Sequence, residues 1–145
     1  MLIGSRPIEV GDRRKSTGNP LTILVVDDDA MVVQTVVVLL EDHGFQVVTA
    51  VNGVDGFEQF KKTRPDLVLT DIFMPEDDGI GLIAKLRHES PDLTIIAMSG
   101  GGRFAKGDFV TAATKLGAKC GLWKPFDELQ LLDAVISVLG VDRCP

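Results

Sequence analysis

The run Leu21-Thr22-Ile23-Leu24-Val25-Val26 closes on Asp27-Asp28-Asp29, and an apolar-rich segment then continues to His43 before Gly44. Six uncharged residues rich in β-branched side chains predict a strand buried on both faces, as in a parallel sheet. The acids that end it form a polar turn. Asp29 is placed to cap a helix over Ala30–His43, with Gly44 at its C′ position. The valines between Val32 and Val38 lower the intrinsic helix propensity of this segment. Its length and terminal glycine still predict a helix, because packing commonly overrides propensity.

The same unit recurs along the chain. Strands are predicted at Gln46–Ala50, Asp66–Thr70, Leu93–Met98 and Lys119–Trp123. Helices are predicted at Gly53–Thr63, Gly79–His88, Phe104–Leu116 and from the Asp127 cap to Leu139. Their apolar faces are read as Val54, Phe57 and Phe60, then Ile80, Ile83, Ala84 and Leu86, and finally Leu129, Leu132, Ala134, Val135 and Val138. Apolar strands alternating with amphipathic helices predict a five-stranded parallel sheet, doubly wound, with helices on both faces. Five such units are too few for an eight-stranded barrel.

Composition narrows the class. The 145 residues are 45% hydrophobic and 25% charged, which excludes a disordered chain or a fibre. The uncharged run Ala30–Leu40 is too short to span a bilayer, and no signal-like segment follows the basic residues of the N-terminus. A cytoplasmic protein is expected, with Cys120 and Cys144 reduced. Residues 1–20 carry four basic and two acidic groups and read as a flexible leader; the remainder carries 11 basic and 19 acidic groups. So acidic a body makes direct binding of nucleic acid improbable on charge alone. A folded unit over residues 21–140, a tail over 141–145 and no further domain after it make a free-standing domain the expectation.

In an open parallel sheet, functional groups gather at the carboxyl ends of the strands. The first strand ends in Asp27 and Asp28, the third in Asp71, the fourth in Ser99 and the fifth in Lys124. Three clustered carboxylates repel one another and call for a hard divalent cation; oxygen ligands with room for water suit Mg²⁺. A lysine and a hydroxyl beside that ion suit phosphoryl oxygens, and a carboxylate so placed can attack phosphorus to give an acyl phosphate.

These residues carry a resemblance. Val25-Val26-Asp27-Asp28, then Val68-Leu69-Thr70-Asp71-Ile72-Phe73-Met74-Pro75 with Asp78-Gly79, then Ser99-Gly100 and Lys124-Pro125-Phe126, resemble the receiver domain of two-component response regulators. The resemblance implies a flavodoxin-like (βα)5 fold with Asp71 as phosphoacceptor. It implies Asp28 as a direct Mg²⁺ ligand, Asp27 acting through water, and the Phe73 backbone carbonyl as a further ligand. Ser99 and Lys124 would contact the phosphoryl oxygens, with a cis Lys124–Pro125 bond aiming the lysine. The donor would be a histidine kinase or a histidine phosphotransfer protein, and the output an altered surface read by a protein target or a relay of the phosphate. The product being an altered protein, the chain is not classed as an enzyme. The family's usual aromatic residue three positions before the lysine is absent, since Gly121 stands there.

Rival readings are weaker. A haloacid-dehalogenase-type phosphatase needs a second Asp where Phe73 stands, and a flavin carrier needs phosphate-binding residues where the three acids stand. A receiver-like interaction module working without phosphorylation is the remaining alternative. His43 and His88 sit at helix ends without partners at metal-ligand spacing.

Overall fold

The computed structural model describes residues 19–74, 79–100 and 106–140. The expectations for the leader, Pro75, Asp78, Gly101, Gly102, Phe104, Cys144 and the tail lie outside them. The order is β1 (Thr22–Val26), α1 (Ala30–Asp42), β2 (Gln46–Ala50), α2 (Gly53–Thr63), β3 (Leu67–Asp71), α3 (Gly79–Glu89), β4 (Thr94–Ser99), α4 (Lys106–Leu116), β5 (Cys120–Trp123) and α5 (Glu128–Leu139). The strands form one parallel sheet in the order β2-β1-β3-β4-β5. The doubly wound expectation is met, and strand order reverses between β1 and β3, where such sheets place their sites.

Side chains alternate across the sheet as the pleat requires. Leu24, Val26, Val68, Ile95 and Ala97 pack against α2, α3 and α4 through Phe60, Leu82, Ile83, Leu86, Phe109 and Ala113. Ile23, Val25, Leu69, Ile96 and Met98 face the other way, onto Val36 and Leu40 of α1 and Leu131, Leu132, Val135 and Ile136 of α5.

The caps hold the helix ends where the sequence puts them. Asp29 accepts from the Met31 N–H at 3.0 Å, Asn52 accepts from Asp55 N–H at 2.8 Å, and Asp127 forms a capping box with Gln130. Gly44 takes φ of 89°, the left-handed conformation that ends α1.

Three helix faces differ from expectation. Val54 and Leu129 are exposed, and so is Ala84. Phe60, Ile83, Leu86, Leu132 and Val135 are buried as expected, and Gly53, Gly56, Leu82, Leu131 and Ile136 are buried beside them. Spacing of three alone drifts around a helix of 3.6 residues per turn, so the buried stripe follows pairs at three and four. In α2 the glycine is part of that stripe: a Cβ on Gly56 would stand 3.1 Å from Leu82 and Val26.

Candidate functional site

The carboxyl ends of β1, β3 and β5 bring Asp27, Asp28, Asp71 and Lys124 together. The carboxylates of Asp27, Asp28 and Asp71 each offer an oxygen within 4.8 Å of the others. Asp27 and Asp71 are buried and Asp28 is exposed, so the cluster opens to solvent on one side. Lys124 Nζ donates to Asp27 Oδ2 at 2.6 Å and to Asp71 Oδ2 at 3.1 Å. The lysine side chain is itself only 18% exposed.

The two carboxylates bound by Lys124 are fixed by backbone as well. Asp27 Oδ1 accepts the Asp29 N–H at 2.9 Å, and Asp71 Oδ1 accepts the Phe73 N–H at 3.0 Å. Burial raises the pKa of Asp71 above its ordinary value, as does the charge of Asp27, outweighing the Phe73 N–H and Lys124, which lower it. Burial pushes the Lys124 ammonium down, but its bonds to Asp27 and Asp71 outweigh that and leave it above the usual lysine value.

Ser99 is buried at the end of β4, opposite Trp123 in the β4–β5 ladder, and its carbonyl accepts the Lys124 N–H at 2.8 Å. The strand end carrying the hydroxyl is thus tied directly to the residue carrying the ammonium. The Lys124–Pro125 bond is cis. Beside Lys124, a cavity of about 410 Å³ is lined by Asp29, Met31, Val32, Thr35, Pro125 and Phe126. Among the described residues no histidine joins the acidic cluster, and His43 Nδ1 donates to Leu39 O. Cys120 is a free thiol, pushed up in pKa by burial.

Two features lie outside what spacing could reveal. Gly79 opens α3 directly over Asp71: a Cβ there would stand 2.0 Å from the Asp71 carbonyl oxygen, so only glycine fits. Gly121 is filled from another element, since a Cβ there would meet Phe109 Cε2 at 2.8 Å. The Phe109 ring, buried at α4, lies 5.8 Å from the Trp123 ring at 52°. An aromatic therefore occupies the space beside Gly121, but it comes from α4.

The donor set fits a hard divalent cation: three carboxylates, oxygen only, one of them open to water. Beside it stand a carboxylate able to act as nucleophile and a lysine able to neutralise phosphoryl charge.

Comparison with known proteins agrees with this geometry. The profile of the response regulator receiver domain matches residues 23–136. The chemotaxis protein CheY of Treponema pallidum is 38% identical over 129 residues, covering 87% of this chain and 88% of its own. A receiver domain protein from Clostridium thermocellum superposes with a TM-score of 0.75 at 30% identity, covering 83% of this chain and 94% of its own. A structure described as the CheX–CheY–BeF3–Mg²⁺ complex from Borrelia burgdorferi gives 0.78 at 28% identity, covering 87% and 95%.

Proposed function

Because the chain belongs to the response regulator receiver family of two-component signalling, we propose that Asp71 is its phosphoacceptor and that Asp27, Asp28, Asp71 and the Phe73 carbonyl hold Mg²⁺. The observation that carries this reading is Lys124 Nζ set between Asp27 and Asp71, within a triad of carboxylates less than 5 Å apart.

A carboxylate oxygen of Asp71 attacks phosphorus of a phosphohistidine, the P–N bond breaks, and the imidazole nitrogen leaves with the bonding pair. A divalent cation held by Asp27, Asp28, Asp71 and the Phe73 carbonyl would supply charge neutralisation at the phosphoryl oxygens. Lys124 moves its charge from the carboxylates to a phosphoryl oxygen, and the Ser99 hydroxyl donates to another. Little covalent chemistry is asked of the protein beyond positioning.

The donor is a histidine kinase or phosphotransfer protein, and the cavity beside Lys124 offers an apolar place next to the lysine for a donor group. The phosphorylated domain then acts as a switch read by a protein target, and it is not an enzyme acting on a separate substrate. The working unit is residues 21–140, with 1–20 and 141–145 outside it. Among the described residues no helix is long and apolar enough to cross a membrane, and a cytoplasmic location suits a phosphohistidine donor.

The test is intact mass after incubation with acetyl phosphate and Mg²⁺. Wild type gains one phosphoryl group, whereas Asp71→Asn gains none, and EDTA abolishes the gain. An adduct that persists on Asp71→Asn would move the acceptor elsewhere.

A further inference from the structure

Resting on Asp71 as acceptor, we infer that Thr70 is a positioning residue for the phosphoryl transfer, acting through the backbone of Asp71. Thr70 is fully buried in β3, between Val26 of β1 and Ala97 of β4. Its neighbours on that face of the sheet, Val26, Val68, Ile72 and Ala97, are apolar core residues. A hydroxyl in such a layer must find an acceptor inside the protein. Thr70 Oγ1 donates to the carbonyl oxygen of Asp71 at 3.0 Å.

That carbonyl stands at the limit of the ladder. Pairing of β3 with β1 stops at Thr70 opposite Val26, while pairing with β4 runs on to Asp71 opposite Met98. The Ile72 N–H then donates to Met98 O. Backbone groups of successive residues point alternately to the two neighbouring strands, so the Asp71 carbonyl points toward β1 just past its last paired residue. The Thr70 hydroxyl bonds it there, and Gly79 closes over it without a Cβ.

Fixing this carbonyl fixes the plane of the Asp71–Ile72 peptide, and that plane sets where Phe73 lies. The Phe73 N–H holds Asp71 Oδ1, and the Ile72 carbonyl accepts the Gly79 N–H at 3.3 Å. Thr70 thus touches neither metal nor phosphoryl group, yet it orients the carboxylate that does the chemistry. An aspartate free to rotate loses its attack geometry while keeping its charge.

The experiment compares Thr70→Val, which keeps the shape and removes the hydroxyl, with Thr70→Ser, which keeps the hydroxyl. Ile83→Val in the α3 core is the control for stability loss alone. Initial rates of phosphorylation by acetyl phosphate at saturating Mg²⁺ are read by intact mass, at a temperature where circular dichroism shows each protein folded. Thr70→Val slows by about fivefold, the size of one neutral hydrogen bond, while Thr70→Ser and Ile83→Val stay within about twofold of wild type. If Thr70→Val does not fold, Thr70→Ala against Thr70→Ser isolates the same hydroxyl. A wild-type rate in Thr70→Val or Thr70→Ala overturns the inference, as does equal slowing in Ile83→Val. A folded wild type that takes no phosphoryl group overturns the acceptor reading itself, and this inference with it.

Discussion

Two neighbouring regions of this sheet are built on opposite principles. At the carboxyl ends of β1 and β3, Asp27 and Asp71 are buried charges held by backbone N–H groups and by Lys124. Against β5, Phe109 and Trp123 pack ring on ring over a glycine. The first region places like charges where burial penalises them, whereas the second buries apolar surface where burial is favourable. On the proposed function, chemistry and stability are therefore carried by different residues. Substitutions should separate them: changes at the α4–β5 joint cost stability and leave phosphorylation intact, while changes of the acceptor charge do the reverse.

Gly79 tests the separation most severely, because it belongs to the acceptor side but acts through sterics. A methyl group there would lie 2.0 Å from Asp71 O, 2.8 Å from Ile72 Cα and 2.9 Å from Asp71 C. All three are backbone atoms, so no side chain can yield. Gly79→Ala is expected to lose more than about 4 kcal/mol in urea unfolding, the range reserved for severe steric conflict. A loss below about 1 kcal/mol would show that the backbone of Asp71 and Ile72 can yield to a methyl group at Gly79, contrary to the close approach described.

The α4–β5 joint comes next. Phe109→Ala empties a fully buried site and should cost about 3–5 kcal/mol. Gly121→Ala drives a Cβ to 2.8 Å from the same ring, at a cost of about 1–3 kcal/mol. If ring and glycine are complementary, Gly121→Ala becomes neutral or stabilising once Phe109 is alanine, and the double-mutant cycle shows it. Additive losses would mean that the two positions do not share one space. Acetyl phosphate labelling of each folded variant should match wild type.

The two regions also differ in how far a sequence exposes them. Asp27, Asp28, Asp71, Ser99 and Lys124 each close an apolar run, so the strand ends alone bring them to one edge, and the Asp29 and Asp127 caps and Gly44 mark helix ends between them, whereas the Asn52 cap of α2 is seen only in the structure. Strand limits shifted by about one residue because ladder pairing, not composition, ends a strand. Composition misplaces part of each stripe in α2, α3 and α5: Val54, Ala84 and Leu129 are apolar yet exposed, whereas Gly56 is buried as a close-approach site. Thr70, Gly79 and Phe109 were illegible for a different reason. For Gly79 and Phe109 the role is a distance between segments, to Asp71 O and to Gly121; Thr70 bonds the carbonyl of the next residue, and what buries its hydroxyl is the pairing of β3 between Val26 and Ala97. No local pattern encodes a distance that exists only after the chain has folded.

The smallest effect is the sharpest test of the contrast, because it reverses the usual sign of a site mutation. Asp71 has a folded pKa above its ordinary 3.8, chiefly from burial. As pH rises past 3.8, the unfolded chain gives up this proton before the folded one does, so stability falls through that window and is constant above the folded value. Lys124 is raised in pKa, so its contribution is complete below the ordinary 10.5 and is lost only as pH climbs through its folded value. Between pH 4 and 8 it adds a fixed offset. Asp71→Asn cannot ionise, so its urea midpoint relative to wild type should climb as pH rises above 3.8 and level once pH passes the folded value of Asp71. Mg²⁺ should favour wild type and narrow that gap, since a ligand held at a hundred times its Kd adds about 2.7 kcal/mol to the form that binds it. A relative midpoint that falls over the same window would mean that Lys124 and the Phe73 N–H outweigh burial at Asp71. The acceptor would then be a stabilising ion pair, and the contrast with the α4–β5 joint would disappear.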